Sequence, residues 1–252
     1  MVITNKPLNR VGFVINKNYK DTIMKKLIVT RADANVKEIA DITIPLMEKY
    51  ANYCDADFKI LSEPAPFLTS DHKPHYRILK VRELLEKYDR VLCLDVDILL
   101  NKDIPNIFDI VPEDKIGSIF EDKGSRKSHR KAIMDKVQRE WGDVNWREGY
   151  TNGGVFLLSK QHKDIFLPHN NQYYIDWGSG DVHMSYMARK LKYNIQELSF
   201  KWNHMTPFSE PWNNYANRFD SFIIHYAGVG IFDVGVPNRL EQIKKDYQTI
   251  YG

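Results

Sequence analysis

The stretch Arg90-Val91-Leu92-Cys93-Leu94-Asp95-Val96-Asp97 places two aspartates directly after a continuous apolar run. Such a run is typical of a strand buried on both faces of a parallel sheet. Ligands of open α/β sheets bind beyond the carboxyl ends of the strands, so Asp95 and Asp97 lie where a site is expected. Two close carboxylates repel each other unless a cation lies between them, and oxygen ligands favour Mg²⁺ or Mn²⁺. Two solvated loop aspartates are the alternative interpretation.

Strand-like and helix-like segments alternate along the rest of the chain. Leu27–Val29 and Phe58–Leu61 are predicted strands, and each is followed by a predicted helix. The second of these helices is predicted to begin near Asp71, with Pro74 in its first turn. Later strands are predicted at 116–120, 154–158 and 222–224, and later helices at 127–140, 182–191 and 240–250. This order predicts an α/β domain with a mostly parallel sheet flanked by helices.

The composition is that of a folded protein. Hydrophobic residues make up 43% and charged residues 27% of the 252 residues, which excludes intrinsic disorder. The net charge of +3 is too small to indicate nucleic acid binding. Cys54 and Cys93 form no CxxC pair, so a disulfide scaffold and a zinc ribbon are excluded and a reducing compartment is favoured.

The chain is expected to form one domain after a short extension. Met24 begins a basic and then apolar segment that looks like the start of a domain, and no Gly/Ser linker divides the chain beyond it. Residues 1–23 are therefore predicted to be an N-terminal extension and residues 24–252 a single domain. No apolar run is long enough to span a membrane, and the amino end lacks the apolar core of a secretory signal. A cytoplasmic location is expected.

Other chemistries that use two aspartates at this spacing fit less well. A calcium-binding EF-hand loop needs an oxygen ligand and a glycine where Leu99 and Leu100 stand, so this type of site is excluded. A haloacid-dehalogenase-like phosphatase would use Asp95 as its nucleophile. Its DxDG[TV] pattern, however, has glycine and then threonine or valine at the positions where this chain has Ile98 and Leu99. That phosphatase and a non-catalytic sugar-binding module remain the alternatives.

Five segments resemble, in the right order, the motifs of one enzyme family. They are the predicted helix and strand at 76–80 and 84–97, Thr151–Val155 for N-A-G-V, Gly180–Asp181 for D-Q-D, Lys201–Asn203 for an aromatic-Asn element, and Ile224–Gly228 for I-x-H-x-x-G. Over roughly residues 26–230 the chain resembles nucleotide-sugar-dependent glycosyltransferases of the GT-A fold, particularly glycosyltransferase family 8.

The resemblance implies a Rossmann-like GT-A domain with residues 24–100 as its nucleotide-binding half and residues 101–252 as its acceptor-binding half. It implies transfer of a hexosyl or deoxyhexosyl group from a nucleotide-diphosphate sugar, by default a UDP-sugar, to a hydroxyl of a glycan or similar acceptor. Asp97 and His225 would bind Mn²⁺ or Mg²⁺ directly, and Asp95 would contact the metal or the donor ribose. The cation would neutralise the departing diphosphate.

Further residues are candidates for donor binding. Thr30 and Arg31, which end the first predicted strand, resemble the nucleotide-contacting position of the family. An aromatic and two basic residues share one side of the second predicted helix and either meet the base and diphosphate or form a solvated face: Tyr76, Arg77 and Lys80. At the start of the predicted strand 154–158, the side-chain amide of Asn152 and the backbone of Gly153 and Gly154, which carry no side chain, either contact sugar hydroxyls or form a turn.

Asp181 is the candidate catalytic carboxylate. In an inverting enzyme it would take the proton of the acceptor hydroxyl, and in a retaining enzyme it would orient the donor sugar. His183 is a rival base or ligand. Trp177 or Trp202 is expected to stack on a sugar. The basic run 123–131 is expected to be a solvated loop and helix start, or else a loop that meets the diphosphate or an anionic acceptor.

Overall fold

The computed structural model of the protein describes residues 24–62, 76–206 and 208–252, and for residues 76–79 it describes the backbone alone. The predicted extension 1–23 and the predicted helix start at Asp71 and Pro74 lie outside the described residues. Within the part that is described, no helix has the length and apolar character needed to cross a membrane.

Nine strands and six α-helices are described. The strands are β1 Lys26–Arg31, β2 Asp57–Leu61, β3 Arg90–Leu94, β4 Ile98–Leu100, β5 Lys115–Phe120, β6 Thr151–Ser159, β7 Asn194–Glu197, β8 His204–Met205 and β9 Ile223–His225. The helices are α1 Lys37–Tyr53, α2 Tyr76–Leu84, α3 Ile107–Ile110, α4 Lys127–Trp141, α5 Ser179–Lys190 and α6 Arg239–Tyr251.

The main sheet has the strand order β2-β1-β3-β6-β5-β7. Strand β6 is antiparallel to both of its neighbours, whereas the β1–β2, β1–β3 and β5–β7 pairs are parallel. The predicted mixed, mostly parallel sheet flanked by helices is therefore confirmed. Because β6 runs against β3, its first residues lie at the edge where β3 ends, and Leu94 pairs with Val155.

Alternate residues of the central strands enter two apolar layers, one on each face of the main sheet. Cys93 and Phe156 belong to one layer, and Leu92 and Leu157 belong to the other. All five residues of β3 are buried, as the apolar run predicts. Burial on both faces holds the end of β3, and hence the position of Asp95, in a rigid part of the fold.

A smaller sheet joins a distant part of the chain to the end of β3. Its order is β4-β9-β8, and Ile98 of β4 pairs with His225 of β9. Strand β4 begins one residue after Asp97, and the backbone N–H of Tyr226 donates to the carbonyl oxygen of Asp97 at 2.9 Å. The pairing therefore brings the two aspartates and His225 to the same place.

Two element boundaries differ from the predicted ones in a way that matters for the site. Strand β6 begins at Thr151 rather than at 154, so the interpretation of Asn152 to Gly154 as a turn before the strand is wrong. Helix α5 begins at Ser179 rather than at 182, because Gly178 reverses the backbone before it with φ of 71°. Asp181 therefore lies in the first turn of α5.

Candidate metal centre and active site

The side chains of Asp95, Asp97 and His225 converge at the edge of the main sheet. Nε2 of His225 lies 3.5 Å from Oδ2 of Asp95 and 3.5 Å from Oδ1 of Asp97. The three side chains are 33%, 14% and 4% exposed, in the order Asp95, Asp97, His225, so the cluster opens to solvent beside Asp95. Among the described residues it is the one group of three such side chains with the spacing of a metal site. Two carboxylates and an imidazole suit Mn²⁺, and their oxygens also suit Mg²⁺.

Gly154 of β6 positions both sides of this cluster. Its carbonyl oxygen accepts a hydrogen bond from the backbone N–H of Asp95 at 2.9 Å. A Cβ atom at this position would lie 2.4 Å from Cε1 and 2.7 Å from Nδ1 of His225. Only glycine therefore leaves room for the imidazole while its backbone holds the first aspartate.

The charges around His225 make its ring a strong proton acceptor in the absence of a metal ion. Burial disfavours the imidazolium, but the hydrogen bond and charge of Asp97, together with the charges of Asp95 and Glu121, raise the pKa of His225 above its ordinary value of 6.5. Nη1 of Arg239 also lies 2.8 Å from Oδ2 of Asp97. The carboxylates of Asp95 and Asp97 thus attract positive charge both from the imidazole of His225 and, at Asp97, from the guanidinium of Arg239.

Asp181 reaches the same strand from the opposite direction. Its Oδ1 accepts a hydrogen bond from the backbone N–H of Gly153 at 2.8 Å. Asp181 lies in the first turn of α5, so the positive end of this helix lies next to its carboxylate. Asn152, Gly153 and Gly154 thus connect the candidate metal cluster, formed by Asp95, Asp97 and His225, to the predicted catalytic carboxylate within three consecutive residues.

Comparison with known families assigns the chain. The model of glycosyl transferase family 8 matches residues 14–230. The protein belongs to glycosyltransferase family 8. The ordered motifs therefore predicted the family and the enzyme class correctly. No curated protein sequence matches this glycosyltransferase.

Solved glycosyltransferases share the fold. A glycosyltransferase involved in the glycosylation of the major capsid of PBCV-1 is 15% identical, with a TM-score of 0.57 over 89% of this chain and 99% of that one. The galactosyltransferase LgtC, solved in complex with donor and acceptor sugar analogs, is 14% identical, with a TM-score of 0.54 over 90% of this chain and 96% of that one. The bifunctional glycosyltransferase WbbM is 15% identical, with a TM-score of 0.54 over 89% of this chain and 48% of that one. These likenesses confirm the GT-A fold.

The predicted donor-binding residues on β1 lie beside the metal cluster in the sheet. Thr30 pairs with Leu94, the residue before Asp95, and its buried hydroxyl has no hydrogen-bond partner in the described part of the chain. Arg31 is exposed and forms an ion pair with Asp33 at 3.0 Å. Both positions suit contact with a ligand at this edge, and their role remains a prediction.

The predicted face of α2 is described only in part. Lys80 forms an ion pair with Glu83 at 3.3 Å, and its side chain is 25% exposed. The side chains of Tyr76 and Arg77 lie outside the described residues. The contact of this face with base and diphosphate remains a prediction.

The assignment of His183 as a rival base or ligand is wrong. Its ring is fully buried, Nε2 lies 3.0 Å from the carbonyl oxygen of Leu167, and Trp141 packs edge-on against it. His183 and Asp181 both lie in α5, and side chains two positions apart on a helix point to different sides, so the imidazole of His183 enters the core.

The two tryptophans expected to stack on a sugar differ in exposure. Trp202 is 3% exposed and packs against Phe222, so it is a core residue and cannot stack on a sugar. Trp177 is 51% exposed, and the guanidinium of Arg130 lies 4.3 Å from the centre of its ring. A role in sugar binding remains a prediction for Trp177 alone.

The basic run 123–131 is more buried than expected. Arg130 forms an ion pair with Glu121, and both are less than a tenth exposed. Arg126 lies over the ring of Phe208, and burial lowers the pKa of its guanidinium to about 10. The prediction of a solvated loop is wrong for these two arginines, although Lys127 is exposed.

Sequence reasoning missed three residues of the site: Glu121, Asn203 and Arg239. Asn203 was part of a recognised motif but had no assigned role, and its Oδ1 lies 2.7 Å from Nδ1 of His225. Glu121 directly follows β5, as Asp95 follows β3, and this position at a strand end is the signal that could have found it. Arg239 comes from α6, and nothing local in the sequence connects it to Asp97.

Proposed function

We propose that the enzyme transfers a sugar from a nucleotide-diphosphate sugar, with a UDP-sugar as the default donor, to a hydroxyl of a glycan or similar acceptor. The proposal includes a divalent cation, Mn²⁺ or Mg²⁺, held by Asp95, Asp97 and His225. The observation that supports it is the convergence of two carboxylates and one imidazole nitrogen at the solvent-facing edge of a family 8 fold.

The leaving group sets the chemical requirement. Breaking the bond between sugar and phosphate leaves a nucleoside diphosphate, whose developing charge a bound divalent cation neutralises as a Lewis acid. Asp95 and Asp97 would supply the negative charge that holds a cation at this edge, and His225 would complete the ligand set through Nε2. Since metals bind neutral imidazole, His225 would hold the cation in its neutral form.

The donor sugar is proposed to lie beside the start of β6. The hydrogen bond from Gly153 fixes the orientation of Asp181 next to that position. In an inverting reaction Asp181 removes the proton from the acceptor hydroxyl, and in a retaining reaction it holds the donor sugar in place. Asn152 is 8% exposed, so its main contribution to this edge of the sheet is through buried hydrogen bonds.

Calorimetric titration with UDP, with and without Mn²⁺, tests the proposal. UDP is expected to bind in the presence of Mn²⁺, and the Asp97→Asn variant is expected to lose both Mn²⁺ binding and the Mn²⁺-dependent part of UDP binding. Asp103→Asn, at an exposed position six residues further on, is the matched control and should behave as the wild type. Equal UDP affinity with and without Mn²⁺ would contradict the proposal.

The role of Asp181 is tested by the kinetics of Asp181→Asn. A catalytic base is worth about 10²- to 10⁴-fold in rate, so kcat should fall within that range if Asp181 takes the acceptor proton. NMR of the first-formed product gives the anomeric configuration and thereby decides between the two roles. An unchanged kcat removes Asp181 from the mechanism.

A further inference from the structure

A chain of buried hydrogen bonds leads from Gly154 to His225, and its first bond determines which atom is the donor and which the acceptor in each later bond. The backbone N–H of Gly154 can only donate, and the side-chain atom of Asn152 that it meets at 2.8 Å must be an oxygen. The other end of the same amide is therefore its NH₂ group, which meets Oε2 of Glu121 at 3.2 Å. A backbone donor and a carboxylate acceptor thus fix the orientation of Asn152 from both sides.

The next amide inherits this orientation. Oδ1 of Asn152 also lies 2.8 Å from the side chain of Asn203, so the atom of Asn203 that faces it must be the NH₂ donor. The remaining atom of that amide is its oxygen, which lies 2.7 Å from Nδ1 of His225. An oxygen acceptor at this distance requires a hydrogen on Nδ1.

We infer that Asn203 is a positioning residue that keeps the proton of His225 on Nδ1 and leaves the lone pair of Nε2 for a divalent cation. The hydrogen bond made by one ring nitrogen of a histidine decides which form the other nitrogen takes. With the opposite tautomer, an N–H group would point at Asp95 and Asp97, and the cluster would lack its nitrogen ligand. The inference concerns the metal site of the proposed function and rests on that proposal.

Burial protects this polarity from solvent. Asn203 is fully buried, and Glu121, Asn152 and His225 are 5%, 8% and 3% exposed. Water therefore cannot replace a partner that turns away, and a reversed amide would place two like groups against each other at a cost. The ion pair of Glu121 with Arg130 holds the far end of the chain.

Two substitutions at Asn203 separate tautomer control from packing. Asn203→Leu keeps the branched shape and the number of side-chain heavy atoms but removes the acceptor for Nδ1, and its Mn²⁺ affinity is expected to fall about tenfold to a hundredfold. Asn203→Asp keeps an oxygen acceptor for Nδ1, and we expect it to bind Mn²⁺ far better than the leucine variant. Ser221→Ala is the matched control, because it removes the same kind of hydrogen bond from Nδ1 of His204 on the neighbouring strand β8. Its Mn²⁺ affinity should equal that of the wild type.

NMR of the metal-free protein labelled with ¹⁵N-histidine gives a direct readout that needs no activity and no folded variant. At a pH where the ring is neutral, the wild-type His225 should carry its hydrogen on Nδ1. A hydrogen on Nε2, or an Asn203→Leu variant that binds Mn²⁺ as tightly as the wild type, would overturn the inference. A wild-type protein that shows the Nδ1 form but binds no Mn²⁺ would overturn the proposed function and leave the tautomer assignment standing.

Discussion

Two charged clusters meet at the end of β9, on the adjacent residues His225 and Tyr226. The metal cluster consists of Asp95, Asp97 and His225. The second cluster, called here the Arg218 cluster, is built on the fully buried carboxylate of Asp246, and its members are Arg218, Tyr226, Asp233, Gln242 and Asp246. Tyr226 directly follows β9, and consecutive side chains of an extended segment point to opposite sides, so the two neighbouring residues serve different clusters.

The clusters differ in how their carboxylates are neutralised. In the Arg218 cluster, Oδ2 of Asp246 accepts from Nε of Arg218 at 2.8 Å and from the hydroxyl of Tyr226 at 2.7 Å, and Oδ1 accepts from Gln242 at 2.9 Å. In the metal cluster, two carboxylates face one imidazole. A carboxylate whose oxygens are saturated by buried donors of the chain stabilises the fold, whereas two neighbouring carboxylates at a site that opens to solvent are suited to an external cation.

The largest expected effect tests this contrast directly. Asp246→Ala leaves Arg218 partly unpaired in a buried place and should lower the free energy of unfolding by about 3 kcal/mol, with Mn²⁺ affinity unchanged. Asp97→Asn removes one of two repelling carboxylates and should leave stability within about 1 kcal/mol of the wild type, with Mn²⁺ binding lost. Urea denaturation and calorimetry measure the two quantities. The contrast fails if both variants lose stability equally.

A substitution at Gly154 tests whether space is as important as charge in the metal cluster. The methyl group of Gly154→Ala would displace His225, and Mn²⁺ affinity should fall about tenfold to a hundredfold. Gly117→Ala on the neighbouring strand β5 is the matched control, since its Cβ would lie 2.6 Å from the side chain of Val111, away from the ligands. If both variants bind Mn²⁺ equally well, Gly154 is not needed for the site.

Two histidines on neighbouring strands should have pKa values that are shifted in opposite directions from the ordinary value. The carboxylates raise the pKa of His225, whereas burial and the charge of Arg218 lower the pKa of His204 to about 4. Acidification from pH 6.5 towards 4 should therefore cost stability through His204, by about 1.4 kcal/mol per pH unit. The stability contributed by protonated His225 is present at low pH and is lost as the pH rises through its raised pKa.

NMR titration of the histidine ring protons measures both pKa values in the metal-free protein. His204→Gln should remove the low-pH transition and reduce the loss of stability on acidification. Asp97→Asn should lower the pKa of His225 without moving that of His204. A pKa of His225 below 6.5 in the wild type would show that burial outweighs the carboxylates.

The smallest expected effect concerns Arg239, which holds Asp97 from the solvent side. Its side chain is 34% exposed, so its ion pair is weak, and Arg239→Met should raise Mn²⁺ affinity roughly two- to fivefold by removing a competing cation. Arg239→Lys keeps the charge and should bind Mn²⁺ like the wild type. Weaker Mn²⁺ binding by the methionine variant would show that Arg239 orients Asp97 instead of competing for it.

Local patterns were sufficient for the fold and for the first half of the metal cluster. The apolar run of β3 marks a strand buried on both faces, and the aspartates follow it directly, so their position at the sheet edge could be predicted from adjacent residues alone. His225 was found only through the family resemblance, because its partners lie more than a hundred positions away. The family assignment depended on the order of the motifs and not on any single one.

The remainder of the site depends on contacts that sequence patterns do not encode. The start of α5 was predicted too late because the reversal at Gly178 comes from a left-handed backbone and leaves no mark on apolar spacing. Trp202 was predicted to stack on a sugar and His183 to act as a base or ligand, because their residue types suit these roles. Tertiary packing, which buries both side chains, cannot be inferred from residue type. The hydrogen bond from the side-chain NH₂ of Asn203 to Oδ1 of Asn152 joins two segments that are distant in the sequence, so no local pattern indicates it.

The pairing of β4 with β9 has a consequence for how the enzyme can be divided. The sequence predicts a nucleotide-binding half at 24–100 and an acceptor-binding half at 101–252, yet the cluster takes its aspartates from the first and its histidine from the second. Neither half would bind manganese as a separately produced fragment. Recovery of metal binding on mixing the two would report their reassembly, so the cluster could serve as a complementation sensor.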